Sequence, residues 1–134
     1  MNIVSKLVSL LNFGTLANAT PLPQGWYSTL AEARDVAKKT DKLVLVKVHA
    51  DWCGYCKNFD QDLESKPVLA NYLNEHFVCA RVKENTGEAK ILKKAHNIVA
   101  YPFFLVFRGD DFVGKVRGYR GARTLADALA ILLN

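Results

Sequence analysis

The amino-acid sequence predicts an α/β fold, with a central four-stranded mixed sheet flanked by helices. Three observations predict it. Runs at 43–49, 77–82, 103–107 and 112–116 are apolar, rich in β-branched or aromatic residues and of strand length. Stretches with apolar residues three and four apart separate the first three runs. The last two runs are divided only by the turn signal Gly109-Asp110-Asp111, which makes them a hairpin. Strands separated by helices pair in parallel and a hairpin pairs antiparallel, so the sheet is mixed, with helices on both faces.

The elements follow in chain order. Pro21-Leu22-Pro23-Gln24-Gly25 reads as an extended linker. From Trp26 the pattern turns helical: Leu30, Ala33, Val36 and Ala37 share one face, and Lys39 to Lys42 close the helix. Leu43 to His49 is almost continuously apolar, as expected of a central strand covered on both sides. Helical spacing resumes with Phe59 and Leu63, so Cys53 and Cys56 fall on the first turn of a helix at a strand-to-helix junction. Ser65-Lys66-Pro67 starts another helix, followed by Val68, Leu69, Tyr72 and Leu73. After the 77–82 strand come a turn at Glu84 to Gly87 and a short basic helix from Glu88 to Ala95. Gly118 and Gly121 mark a loop behind the hairpin, and Thr124-x-x-Asp127 reads as a capping box opening a last helix over Leu125 to Leu133.

The chain has 134 residues, half of them apolar and 23% charged, which suits one packed domain and excludes a disordered chain. The formal net charge of +5 is spread along the chain among acids. This argues for a soluble, mildly basic protein, against a nucleic-acid surface and against stable membrane insertion. The first residues read as a signal peptide over 1–19. Lys6 supplies its charge, Leu7 to Leu16 its apolar stretch, and Ala17-Asn18-Ala19 a small-x-small cleavage pattern. Residues 20–25 are then the linker and 26–134 the domain. The alternative is an attached amphipathic helix and a cytoplasmic protein. The stretch is too short and too polar to span a membrane.

Of three cysteines, Cys53 and Cys56 form C-x-x-C and Cys79 stands alone in a strand. The pair means redox chemistry or metal binding. At a helix N-terminus, unpaired N–H groups and the positive dipole end stabilise a thiolate. The first sulfur should face those amides and solvent, and the second should lie a turn further in, more covered. Cys53 is therefore the candidate attacking thiol and Cys56 the resolving thiol. Lys57 either adds local positive charge or is an ordinary exposed lysine. A zinc site wants a second ligand pair, and neither Cys79 nor His49, His76 or His96 forms one at ligand spacing, so no metal is expected. The histidines read as surface or packing residues and Cys79 as a buried structural cysteine.

Ala50-Asp51-Trp52-Cys53-Gly54-Tyr55-Cys56-Lys57 resembles the active-site segment of the thioredoxin superfamily. The resemblance covers about Trp26 to Leu133 and is nearest to secreted and periplasmic members, including the reducing C-terminal domain of the thiol:disulfide interchange reductase. It implies a thioredoxin fold. Trp52, Gly54 and Tyr55 are implied as supporting residues, and Pro102 as a cis-proline beside the cysteines. The backbone of Ala100, Tyr101 and Pro102 is implied to pair with an extended substrate segment as an added strand. Gly118 matches a family glycine near the site.

The sequence departs from the family at two places. Lys47, six residues before Cys53, stands where many members carry a buried acid. Lys47 either favours a thiolate at Cys56 and shifts the couple toward oxidising potentials, or pairs with an acid such as Asp60 or reaches the surface. Gly54-Tyr55 replaces the usual Gly-Pro, and the resemblance extends here to periplasmic disulfide isomerases, where Gly-Tyr occurs between the cysteines. Tyr101 and Phe103 either form an apolar rim for a protein substrate or pack inward. The resemblance implies exchange of disulfides with protein substrates and a redox partner protein, in the reducing direction, with no cofactor, in the periplasm or outside the cell. The glycine–aspartate glutathione signature is absent after Pro102. The competing functions are a non-catalytic binding or chaperone module and a C-x-x-C metal carrier.

Overall fold

The computed structural model describes residues 20–133, so the segment read as a signal peptide lies outside the described residues. Nine elements follow one another: α1 (Leu30–Thr40), β1 (Leu43–His49), α2 (Gly54–Ser65), α3 (Pro67–His76), β2 (Phe77–Lys83), α4 (Gly87–His96), β3 (Phe103–Arg108), β4 (Asp111–Arg117) and α5 (Ala122–Leu132). The strands form one sheet in the order β2-β1-β3-β4. β1 runs parallel to β2, with Lys47 opposite Arg81, and antiparallel to β3. The hairpin β3-β4 completes the mixed sheet.

Period-two alternation sends the side chains of the central strands to two separate cores. Val44, Val46 and Val48 pack with Val78, Ala80, Leu105 and Phe107 beneath α1 and α4. Leu43, Leu45, Phe59, Leu73, Cys79, Phe104, Leu125 and Leu129 form the other core, beneath α2, α3 and α5. All seven residues of β1 are buried, which accounts for the unbroken apolar run. Among the described residues no helix is long and apolar enough to cross a membrane.

Two expectations are corrected. The first helix starts at Leu30, where Thr29 accepts the N–H of Glu32, and not near Trp26. Trp26 is instead buried in the core, and Tyr27 makes an isolated parallel bridge to Ala80, lining the edge of β2. The last helix starts at Ala122, with Gly121 at its N-cap and no side-chain cap. Helical bonding already begins there, because the Leu125 N–H donates to the Gly121 carbonyl. Thr124 therefore lies inside the first turn, and Thr124-x-x-Asp127 is not a capping box.

Candidate active site

β1 ends at His49, and the chain turns through Ala50, Asp51 and Trp52 into α2. Cys53 is the N-cap of that helix, in extended conformation, and its Sγ accepts the backbone N–H of Cys56 at 3.1 Å. The thiol thus does for this helix what a serine or aspartate side chain does for others. Cys56 sits one turn further, fully buried, in a small cluster with Ala50 and Cys53 against which Tyr101 packs. Burial pushes the Cys56 thiol up to about 12, and its contact with Cys53 pushes it the same way.

Cys53 was expected to face solvent, but only 6% of it is exposed. Ala50 and Tyr101 pack around it, because the aromatic ring beside Pro102 is folded over the helix start. The order of accessibility is kept, since Cys56 exposes nothing. Trp52 and Tyr55 flank the opening and are 71% and 64% exposed. Trp52 meets Tyr101 edge to face at 5.7 Å. The Tyr101–Pro102 peptide is cis. The Pro102 carbonyl accepts the N–H of Gly118 at 2.8 Å, which draws the loop after β4 to this end of the sheet. Gly118 has φ +77°, a conformation glycine adopts without steric cost. Ala100 and Tyr101 are half-buried, Phe103 packs inward, and Gly54 and Lys57 are exposed.

Lys47 is fully buried and does not reach the surface. Its Nζ donates to Asp60 Oδ1 at 2.9 Å and to the Cys56 carbonyl at 3.4 Å, and it lies 4.8 Å from the centre of the Phe59 ring. Burial lowers its pKa, against the opposing pull of Asp60. Cys56 and Asp60 are four apart on α2, so both project from the helix face that covers β1.

Two further buried polar residues lie nearby: His49, which reads from the sequence as a surface or packing residue, and Arg81, which gives no signal there. His49 is fully buried, and its Nε2 lies 3.0 Å from Asp51 Oδ1. A carboxylate only accepts, so Nε2 carries the proton and Nδ1 is left without a partner. Burial and then the Lys47 charge push the His49 pKa down to about 4. Burial works to raise the Asp51 carboxyl, but hydrogen bonds from Lys83, His49 and Thr20 outweigh it and bring the pKa down to about 2. Arg81 donates to the carbonyls of Pro21 and Thr20, tying down the start of the linker. Of the other histidines, His96 stacks near Phe112 and His76 near Tyr72, both as packing groups. Cys79 is buried in β2 and its thiol is pushed up to about 12. Among the described residues no group of three or more His, Cys, Asp or Glu side chains is placed to hold a metal ion.

A β2-β1-β3-β4 sheet whose central strand feeds a helix capped by the first of two cysteines defines the thioredoxin class of fold. The chain belongs to the thioredoxin-like family, whose family model matches residues 25–109. It is 28% identical over 100 residues to protein disulfide-isomerase 1 of Dictyostelium discoideum, covering 75% of this chain and 27% of that protein. It is 28% identical over 118 residues to the thiol:disulfide interchange protein DsbD of Pectobacterium atrosepticum, covering 85% of this chain and 18% of that one. The chain thus spans less than a third of either relative. Among solved structures, a candidate disulphide-isomerase from Bacteroides thetaiotaomicron superposes with a TM-score of 0.72 at 26% identity, over 85% of this chain and 98% of that one.

Proposed function

We propose that the protein is a thiol–disulfide oxidoreductase that exchanges disulfides with protein substrates, in the reducing direction. The observation that carries this reading is the Cys53 sulfur held on the Cys56 N–H at the start of α2, with the second thiol sealed one turn beyond. The Cys53 thiolate attacks one sulfur of a substrate disulfide. The substrate S–S bond breaks, its other sulfur leaves as a thiolate, and a mixed disulfide forms. Cys56 then gives up its proton to solvent and attacks the Cys53 sulfur. The Cys53–Cys56 disulfide forms and the second substrate sulfur leaves. Two electrons pass from the protein dithiol to the substrate, and no cofactor takes part.

The backbone of Ala100, Tyr101 and Pro102 is the substrate-pairing edge in this reading, and Trp52, Tyr55 and Tyr101 give an apolar rim for unfolded chain. A redox partner protein returns the pair to the dithiol form. Work in the periplasm or outside the cell is the location this reading takes, supported by the signal-peptide pattern at Ala17-Asn18-Ala19 and by the likeness to an interchange protein.

The test is turbidimetric reduction of insulin by dithiothreitol. The wild type is expected to accelerate it and Cys53→Ser to restore the uncatalysed rate. Acceleration that survives Cys53→Ser would overturn the assignment.

A further inference from the structure

We infer that Asp60 is a brake on the second half of the exchange: by pairing with Lys47 it withholds the one buried ammonium beside Cys56 and keeps that residue a thiol. The inference rests on the exchange chemistry proposed above.

The geometry is a competition for one cation. Lys47 Nζ is held between the Asp60 carboxylate at 2.9 Å and the Cys56 carbonyl at 3.4 Å, in a place with no exposure to water. A thiolate on Cys56 would arise beside it, on the same face of α2. An ammonium without a counter-ion would stabilise that thiolate strongly at low effective dielectric. An ammonium already neutralised by a carboxylate does so weakly.

Other charged groups face this spot from each element packed on it. Arg81 on β2 is opposite Lys47 in register; its guanidinium is hydrogen-bonded to the neutral Thr20 and Pro21 carbonyls and keeps its charge, as a constant background to the Lys47–Asp60 pair. His49 on β1 is bonded to Asp51, which is also held by Lys83. On α2, the Cys53 sulfur is bonded to the Cys56 N–H. Asp60 is therefore the carboxylate that answers Lys47 directly, and it acts on Cys56 through that lysine, as a positioning residue. Its consequence is a longer-lived mixed disulfide, which gives a bound polypeptide time to rearrange before release.

The second half can be timed alone. Reduced protein is mixed with one equivalent of dithiobis-nitrobenzoate, an aromatic disulfide. Cys53 attacks it and releases one coloured thiolate. Cys56 then loses its proton to solvent, bonds to the Cys53 sulfur and releases the second. Each unit by which the Cys56 pKa falls gives tenfold more thiolate, partly offset by lower nucleophilicity, for a net gain of about threefold. Asp60→Asn is expected to speed the second phase about threefold or more, with the first phase unchanged. Asp60→Glu should keep the wild-type rate, and Lys47→Met should slow the second phase.

A merely structural ion pair would make both losses act in the same direction. An unchanged or slower second phase in folded Asp60→Asn overturns the inference. If circular dichroism shows that Asp60→Asn does not fold, Lys47→Met decides alone, and a rate equal to or above wild type overturns it. Two clean phases in the wild type with no such response in the variants would sink this inference only. Absence of a second phase in the wild type would sink the exchange reading itself.

Discussion

His49 makes stability depend on pH in a way that can be worked from its surroundings. In the fold its pKa is about 4, because it is buried and near Lys47; in the unfolded chain it has the ordinary value of about 6.5. Above pH 6.5 both states are neutral and the contribution is fully present. As pH falls below 6.5 the unfolded chain binds the proton first, so stability is lost progressively until pH passes about 4. Between pH 7 and pH 4.5 the loss from this one group is about 2 kcal/mol. Asp51, at about 2, stays ionised across that window and does not confuse the result. The assay is urea unfolding of the reduced wild type and His49→Gln at both pH values. Glutamine can still donate to Asp51 but does not titrate. The wild type should lose about 2 kcal/mol more than the variant over this interval. Equal losses would refute the claim that a neutral, buried imidazole holds Asp51.

Other perturbations have equally direct readouts. Phe59→Ala should destabilise the fold by about 3–5 kcal/mol in denaturant unfolding. The ring is fully buried and meets Trp26, Phe104 and Tyr119 edge to face within 5.8 Å. Thr86→Ala should cost about 1 kcal/mol, since its hydroxyl accepts the Ala89 N–H at the start of α4. Iodoacetamide at pH 8 should label Cys53 in the native reduced protein and leave Cys56 and Cys79 unmodified by peptide mass mapping. Burial holds both of the latter thiols at about 12.

The legible parts of the sequence were those where the cause is local. The apolar run of β1, the hairpin turn at Gly109 and the cysteine pair at a helix start are each written within a few residues. The pairing of Lys47 with an acid such as Asp60 is one of the readings the sequence leaves open; the structure selects it, with Asp60 one turn beyond Cys56 on α2. Arg81 was not legible. Its partners are the Thr20 and Pro21 carbonyls, 61 and 60 residues away, so it read as one more residue of an apolar strand. At Trp26 a helical pattern and a chain crossing a strand edge look alike until the edge is known. The extra cover over Cys53 comes from Tyr101, whose placement depends on how the segment before β3 meets α2. Thr124 misled because its spacing to Asp127 fits a cap, whereas Gly121 at φ +111° turns the chain into the helix earlier.

The division of labour between the two cysteines is tested most directly by following a single covalent bond. Reduced Cys56→Ser is incubated with a protein disulfide such as insulin, quenched in acid and mapped by mass spectrometry. The account predicts one accumulating mixed disulfide, joining the substrate to Cys53 and absent from Cys53→Ser. A conjugate formed through Cys79, or no conjugate while the wild type reduces insulin, would contradict it.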